Sequence, residues 1–199
     1  MRPREEAQPL ASGGNDMAVR PALVSKSLHH VAFATRDPEA TYQFYTEKLG
    51  MPLVHTENHL QQDGYMRHFF FDLGDGGCLA FFQIEDLGEE KDYKTAISLG
   101  SGLPIWVNHI AFRLDTEDEL AQMEEQLKER GVEGLWEMDH GWCRSVYTVD
   151  PNGIMVEFCV TTKPDEFSQS QEEALRLLRL PKEEIGEDER KEESAATQV

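Results

Sequence analysis

The sequence predicts an α+β protein made of two tandem βαβββ modules. Three observations carry that prediction: one four-residue phrase occurs twice, each copy feeds a helix that stops at a glycine, and three β-type segments follow each helix. His30-Val31-Ala32-Phe33 returns as His109-Ile110-Ala111-Phe112. Both are short, β-rich apolar runs, and each leads into an acidic helix-start signal, Asp37-Pro38-Glu39 in the first copy and Asp115-Thr116-Glu117-Asp118 in the second.

The first predicted helix carries Tyr42, Phe44, Tyr45 and Leu49 and stops at Gly50. The second carries Leu120, Met123 and Leu127 and stops at Gly131, so both end in a C-cap glycine. Strands are then expected over Met51 to Val54, Met66 to Leu73 and Cys78 to Ile84, and again over Val132 to Trp136, Cys143 to Val149 and Ile154 to Val160. The last two strands of each set are joined by a turn, Gly74-Asp75-Gly76-Gly77 or Asp150-Pro151-Asn152-Gly153.

The duplicated region covers residues 27–162, with module one at 27–86 and module two at 105–162. Residues 1–26, broken by Pro3, Pro9, Gly13-Gly14 and Pro21, lack a sustained apolar period and are expected to be disordered. Within residues 163–199, Glu172 to Leu180 is expected to form a short amphipathic helix with Leu175, Leu178 and Leu180 on one side, before an acidic disordered tail.

A chain of 199 residues can bury a core without disulfide staples. Its 38 acidic and 19 basic side chains give a net charge of −19, which repels nucleic acid and anionic lipid. Cys78, Cys143 and Cys159 form no CxxC pair and cannot all be paired within one chain, which fits a reducing compartment. No apolar export segment precedes Asp16, and no run approaches the roughly 18 apolar residues of a membrane span. A cytoplasmic protein with no membrane partner is the expectation.

Residues of like parity share one face of a strand, so His30 lies beside Ala32 and His109 beside Ala111, with only small side chains crowding either imidazole. Val156-Glu157-Phe158 puts a carboxylate inside an otherwise apolar strand, where an unpaired charge costs on the order of several kcal/mol. Glu157 therefore needs a partner. Taken singly, each of the three has an ordinary structural reading as a satisfied core histidine or a glutamate bonded to Arg or a backbone amide. Recurrence at matched positions of the repeat favours a divalent cation held by two imidazoles and one carboxylate, a ligand set that suits Fe(II), Mn(II), Zn(II) or Ni(II) and leaves positions open for substrate.

Four groups of residues resemble the vicinal oxygen chelate superfamily: His30-Val31-Ala32-Phe33, Phe44-Tyr45 with Leu49-Gly50, Asn108-His109-Ile110-Ala111-Phe112, and Asp150-Pro151-Asn152-Gly153 leading to Glu157. That superfamily includes glyoxalase I, extradiol ring-cleaving dioxygenases, methylmalonyl-CoA epimerases, and fosfomycin or bleomycin resistance proteins. The resemblance implies a cupped mixed sheet around a metal site, with ligands from the first strand of each module and the last strand of the second, matching His30, His109 and Glu157.

The superfamily divides on a fourth ligand. Glyoxalase I is expected to carry a glutamate on the last strand of module one, where this chain has Leu79-Ala80-Phe81-Phe82-Gln83 and the repeat alignment sets Phe81 opposite Glu157. Phenylalanine cannot bind a metal. Gln83, on the face of Phe81, is an amide candidate of the epimerase kind, with a solvated strand end as its alternative.

Without a fourth protein ligand the site is a 2-His-1-carboxylate triad that leaves a face of Fe(II) free for substrate and O₂. The resemblance to extradiol dioxygenases then implies Fe(II) as the favoured metal, a catechol-like aromatic substrate, and Tyr147 and His140 as catalytic residues. Tyr147 would hydrogen-bond a catecholate oxygen and His140, whose spacing matches less closely, would move protons. His68 is a candidate to reach the same cavity, Arg144 to hold a substrate carboxylate, and one face of Phe69-Phe70-Phe71 and Phe81-Phe82 to line an apolar pocket.

Two rival readings stand beside this one. A glyoxalase or epimerase reaction would use the metal to stabilise an enediolate. A non-catalytic binding protein of the bleomycin-resistance kind would use the cup without metal, although such proteins usually lack the ligand trio. Only two modules are present where many ring cleavers carry four, and the modules pair either within one chain or across a homodimer.

Overall fold

Period-two alternation in the repeated phrase becomes β1 (His30–Ala34) in module one and β5 (His109–Leu114) in module two. The computed structural model describes residues 28–61, 63–88 and 91–185; the expectations for residues 1–26 and for the acidic end beyond 185 lie outside them. β2 (Leu53–Gln61), β3 (Gly64–Asp72) and β4 (Cys78–Glu85) complete the first sheet. β6 (Trp136–Asp139), β7 (Cys143–Val149) and β8 (Met155–Thr161) complete the second. The strand orders are β1-β4-β3-β2 and β5-β8-β7-β6, so each module repeats one topology and leaves its first strand at a sheet edge. Among the described residues only β1–β4 and β5–β8 pair in parallel.

The helices start where the sequence places them. Asp37 caps α1 (Pro38–Tyr42) by accepting the Ala40 amide at 2.9 Å, with Pro38 in the first turn where a missing N–H costs nothing. The helix widens into a π-helical stretch over Gln43–Lys48 that buries Phe44 and Tyr45, and the chain turns at Gly50 with φ +80°. α3 (Glu117–Glu129) opens with a capping box in which Thr116 accepts the Glu119 amide and the Glu119 carboxylate accepts the Thr116 amide. Its apolar face buries Leu120 and Leu127.

These helices and one face of each sheet share a single core, including Tyr45, Phe69, Phe71 and Phe81 from module one and Leu120, Leu127, Val156 and Phe158 from module two. The buried Tyr45 hydroxyl donates to Asp150 Oδ2 at 3.0 Å, tying the first helix to the β7–β8 turn. Asp150 Oδ1 accepts the amides of Asn152 and Ile154, so one carboxylate both folds the turn and joins the modules.

Several boundaries differ from expectation, three of them with consequences for packing. β2 runs to Gln61 rather than ending near Val54, because the polar stretch after Val54 pairs with β3 along its length while staying exposed. β6 begins at Trp136, four residues later than the apolar signal at Val132, which is buried in the core instead. The C-terminal helix α5 spans Gln171–Leu178 and buries none of its residues, leaving Leu178 exposed. Between the modules lies a one-turn helix, α2 (Ile97–Gly100), and before α5 a second, α4 (Pro164–Phe167), whose Phe167 stacks on Trp142. Among the described residues no helix is long and apolar enough to cross a membrane.

Candidate functional site

The face of each sheet turned away from the core carries the candidate ligands. In module two the register pairs Ala111 with Glu157 and Glu157 with Tyr147, which places His109, Glu157, Tyr147 and Ser145 on one surface. His109 Nδ1 lies 2.8 Å from the Trp106 carbonyl oxygen, and since a carbonyl can only accept, that nitrogen carries the proton. Nε2 then faces Glu157 Oε2 at 2.9 Å, so an imidazole nitrogen and a carboxylate oxygen converge as two donors to one cation would.

Glu157 is buried, and its other oxygen is fully engaged. Oε1 accepts the Ser145 hydroxyl at 2.5 Å and the Tyr147 hydroxyl at 3.0 Å. Because the Tyr147 hydrogen goes to Glu157, its oxygen accepts from His140 Nε2 at 2.7 Å. Burial pushes the Tyr147 hydroxyl up to about 12, and the Glu157 charge adds to the rise. Trp136 stacks on the Tyr147 ring at 5.3 Å and holds it in place. The expected pair Tyr147 and His140 is thus joined to Glu157 in one chain of hydrogen bonds.

In module one, His30 shares a face with Ala32, Ala80, Phe82, Phe70, His68 and Glu57. Its Nδ1 meets His29 Nδ1 at 2.8 Å, and its ring packs edgewise on His68 and Phe70. His30 belongs to this group, and among the described residues no three His, Cys, Asp or Glu side chains are gathered closely enough to hold a metal ion. The expected convergence of His30 with His109 and Glu157 is therefore not present within a single chain. Two of the three ligands meet, and the third lies on the other sheet.

Further expectations are corrected by register. Ala32 pairs with Ala80 as Ala111 pairs with Glu157, so the module-one counterpart of Glu157 is Ala80 and not Phe81. Phe81 faces the core with zero exposure. Gln83 lies on that same core-side parity, away from His30, and accepts a hydrogen bond from Arg67, which removes it as a fourth ligand. Arg144 also sits on the parity opposite Tyr147 and is bound by Glu117 and Glu137 at 3.1 Å each, which leaves it no part in holding a substrate carboxylate on the ligand face. Of the aromatic clusters, Phe69, Phe71 and Phe81 are core, while Phe70 and Phe82 lie on the ligand face.

Ser145, Trp106 and Trp136 were not singled out from the sequence. Ser145 was findable, since it stands two residues before Tyr147 in a strand and so shares its face. Trp106 acts through its backbone carbonyl, which no side-chain pattern reveals.

Comparison with known proteins agrees with this architecture. The sequence model of the Glyoxalase/Bleomycin resistance protein/Dioxygenase superfamily matches residues 27–158. A glyoxylase/bleomycin resistance protein/dioxygenase domain from Frankia sp. EAN1pec is similar in structure, with a TM-score of 0.50, 16% identity, and coverage of 69% of this chain and 98% of that one. A glyoxalase/bleomycin resistance protein/dioxygenase from Nocardioides has a TM-score of 0.49 and 23% identity, covering 75% of this chain and 93% of its own. The fosfomycin resistance protein FosX from Mesorhizobium loti has a TM-score of 0.48 and 23% identity, covering 73% and 99% respectively. No curated protein sequence matches the chain.

Proposed function

Since the chain belongs to the Glyoxalase/Bleomycin resistance protein/Dioxygenase superfamily, we propose that it is a divalent-metal-dependent enzyme, and specifically an Fe(II) ring-cleaving dioxygenase of the extradiol type acting on a catechol-like aromatic. The observation that carries this reading is the chain His140–Tyr147–Glu157–His109, which sets a proton-handling pair directly beside a buried carboxylate and an imidazole. The donor set fits a cation: His109 is oriented through its far nitrogen, and Glu157 keeps one oxygen free of hydroxyl donors.

His30, His109 and Glu157 would hold the metal. When bound, it would supply Lewis acidity toward two vicinal substrate oxygens and a place for O₂. Tyr147 would hydrogen-bond a substrate oxygen, and His140, in contact with that hydroxyl, would accept or return a proton through it. Phe70, Trp136 and Phe82 offer apolar surface for an aromatic ring on the two ligand faces.

Because β1 and β5 are edges of separate sheets and His30 is engaged within its own sheet, we place the complete trio across two copies of the chain, His30 from one facing His109 and Glu157 from the other. Exposed Trp106 and Val107 beside β5, and Leu53 and Val54 on β2, offer apolar surface for that association.

Anaerobic loading with Fe(II), followed by catechols and O₂, tests the proposal. The expected result is O₂ uptake with a yellow ring-opened product. Turnover of a hemithioacetal with Ni(II) or Zn(II), and silence with Fe(II), would replace it with a glyoxalase reaction.

A further inference from the structure

The first sheet holds a second imidazole that neither the ligand trio nor the tyrosine chain uses. His68 is buried among Phe70, Phe82 and His30, and its ring stacks flat on Phe82 at 3.7 Å. Its Nδ1 is tied to Glu57 Oε1 at 3.2 Å, whereas its Nε2 is buried with no hydrogen-bond partner among the described residues. A buried imidazole nitrogen left bare is costly, and each such atom in a folded protein calls for a reason.

The register supplies a direction. Glu57 is the partner of His68 on β2, so Nδ1 is turned toward β2, and the His30 ring packs edgewise against the same imidazole. The rings of His30 and His68 are 5.9 Å apart. Metal–nitrogen bonds of about 2.1 Å place two ligating imidazole centres roughly 5 to 6.5 Å apart, and this separation falls within that range.

The two modules differ in a complementary way at this spot. In module two, β8 carries the long side chain Glu157 and β7 carries Ser145 at the position equivalent to His68. In module one, β4 carries Ala80 at the position equivalent to Glu157, and β3 carries His68. The donor missing from the last strand is thus replaced by one on its neighbour. In both His68 and His109 the Nδ1 nitrogen is fixed by a protein acceptor, Glu57 in one case and the Trp106 carbonyl in the other.

We infer that His68 Nε2 is a further ligand to the metal, supplied from β3 beside His30, with Glu57 as the residue that orients it. The inference rests on the metal-dependent reading of the same cup and adds a third imidazole to its donor set.

Titration of the full-length protein with Co(II), followed by its visible absorption bands, tests both. Wild type is expected to bind Co(II), and His68→Ala to weaken binding at least tenfold and shift the bands. Glu57→Gln, which leaves the ring packed on Phe82, is expected to weaken binding about tenfold with an unchanged melting temperature; it decides the matter if His68→Ala fails to fold. If His109→Ala loses Co(II) while Glu57→Gln and folded His68→Ala match wild type in affinity and spectrum, His68 is no ligand and the metal reading survives. If wild type binds no Co(II), both fall.

Discussion

The Tyr147 hydroxyl donates to Glu157 Oε1 at 3.0 Å and accepts from His140 Nε2 at 2.7 Å, so a single oxygen links a candidate metal ligand to a candidate proton carrier. Tyr147→Phe removes both bonds while keeping the ring stacked on Trp136. Loss of a positioned proton-transfer group predicts a fall in kcat of roughly 10² to 10⁴. Ser145 still holds Glu157, so metal affinity should drop less than tenfold. Steady-state rates and a metal titration on the same variant check the two effects separately.

Tyr45→Phe should destabilise the fold by about 1–3 kcal/mol, because it withdraws a buried donor from a buried carboxylate. Burial already pushes Asp150 upward, against the opposing pull of its donors from Asn152, Ile154 and Tyr45. Urea denaturation of Tyr45→Phe, Asp150→Ala and the double variant should give a coupling of roughly 0.5–3 kcal/mol; strict additivity would show that the contact does not join the modules.

Cys143 should resist alkylation in the folded protein. It is buried, and burial pushes its thiol up to about 12, with Cys159 adding to the rise. At pH 8 only about one molecule in 10⁴ would carry the reactive thiolate at that position. Mass spectrometry after iodoacetamide should find the partly exposed Cys78 and Cys159 modified first and Cys143 only after unfolding. The raised folded value leaves stability intact below the ordinary thiol range and lowers it as pH rises from about 9 toward 12. Cys143→Ala should flatten that decline.

Much of this was legible because strands alternate and the chain repeats itself. His30 and His109 fall at equivalent places in β1 and β5, and the parity of Tyr147 and Glu157 follows once β7 and β8 are recognised. The one-residue offset that makes Ala80, not Phe81, the counterpart of Glu157 was hidden, since a slip of one flips every side chain and both residues are apolar. The nearness of His140 to Tyr147 depends on the β6–β7 hairpin, where the His140 amide bonds the Cys143 carbonyl and the chain folds back over Tyr147, so spacing along the chain does not reveal it. The long β2 was obscured by polar residues on both faces, a pattern that reads as loop in isolation.

If the trio spans two copies, inactive variants should complement one another. Mixing His30→Ala with Glu157→Gln after unfolding and refolding would give mixed dimers in which one of two sites has every ligand, recovering about a quarter of wild-type activity. Each variant refolded alone should stay inactive. No recovery from the mixture would place all three ligands in one chain.

The most direct test is metal content. Wild-type protein dialysed against excess Fe(II) without oxygen should retain one ion per chain by elemental analysis, and His30→Ala, His109→Ala and Glu157→Gln should each retain almost none. Stoichiometric metal that survives loss of His109 or Glu157, or a wild type that retains none at all, would contradict the account.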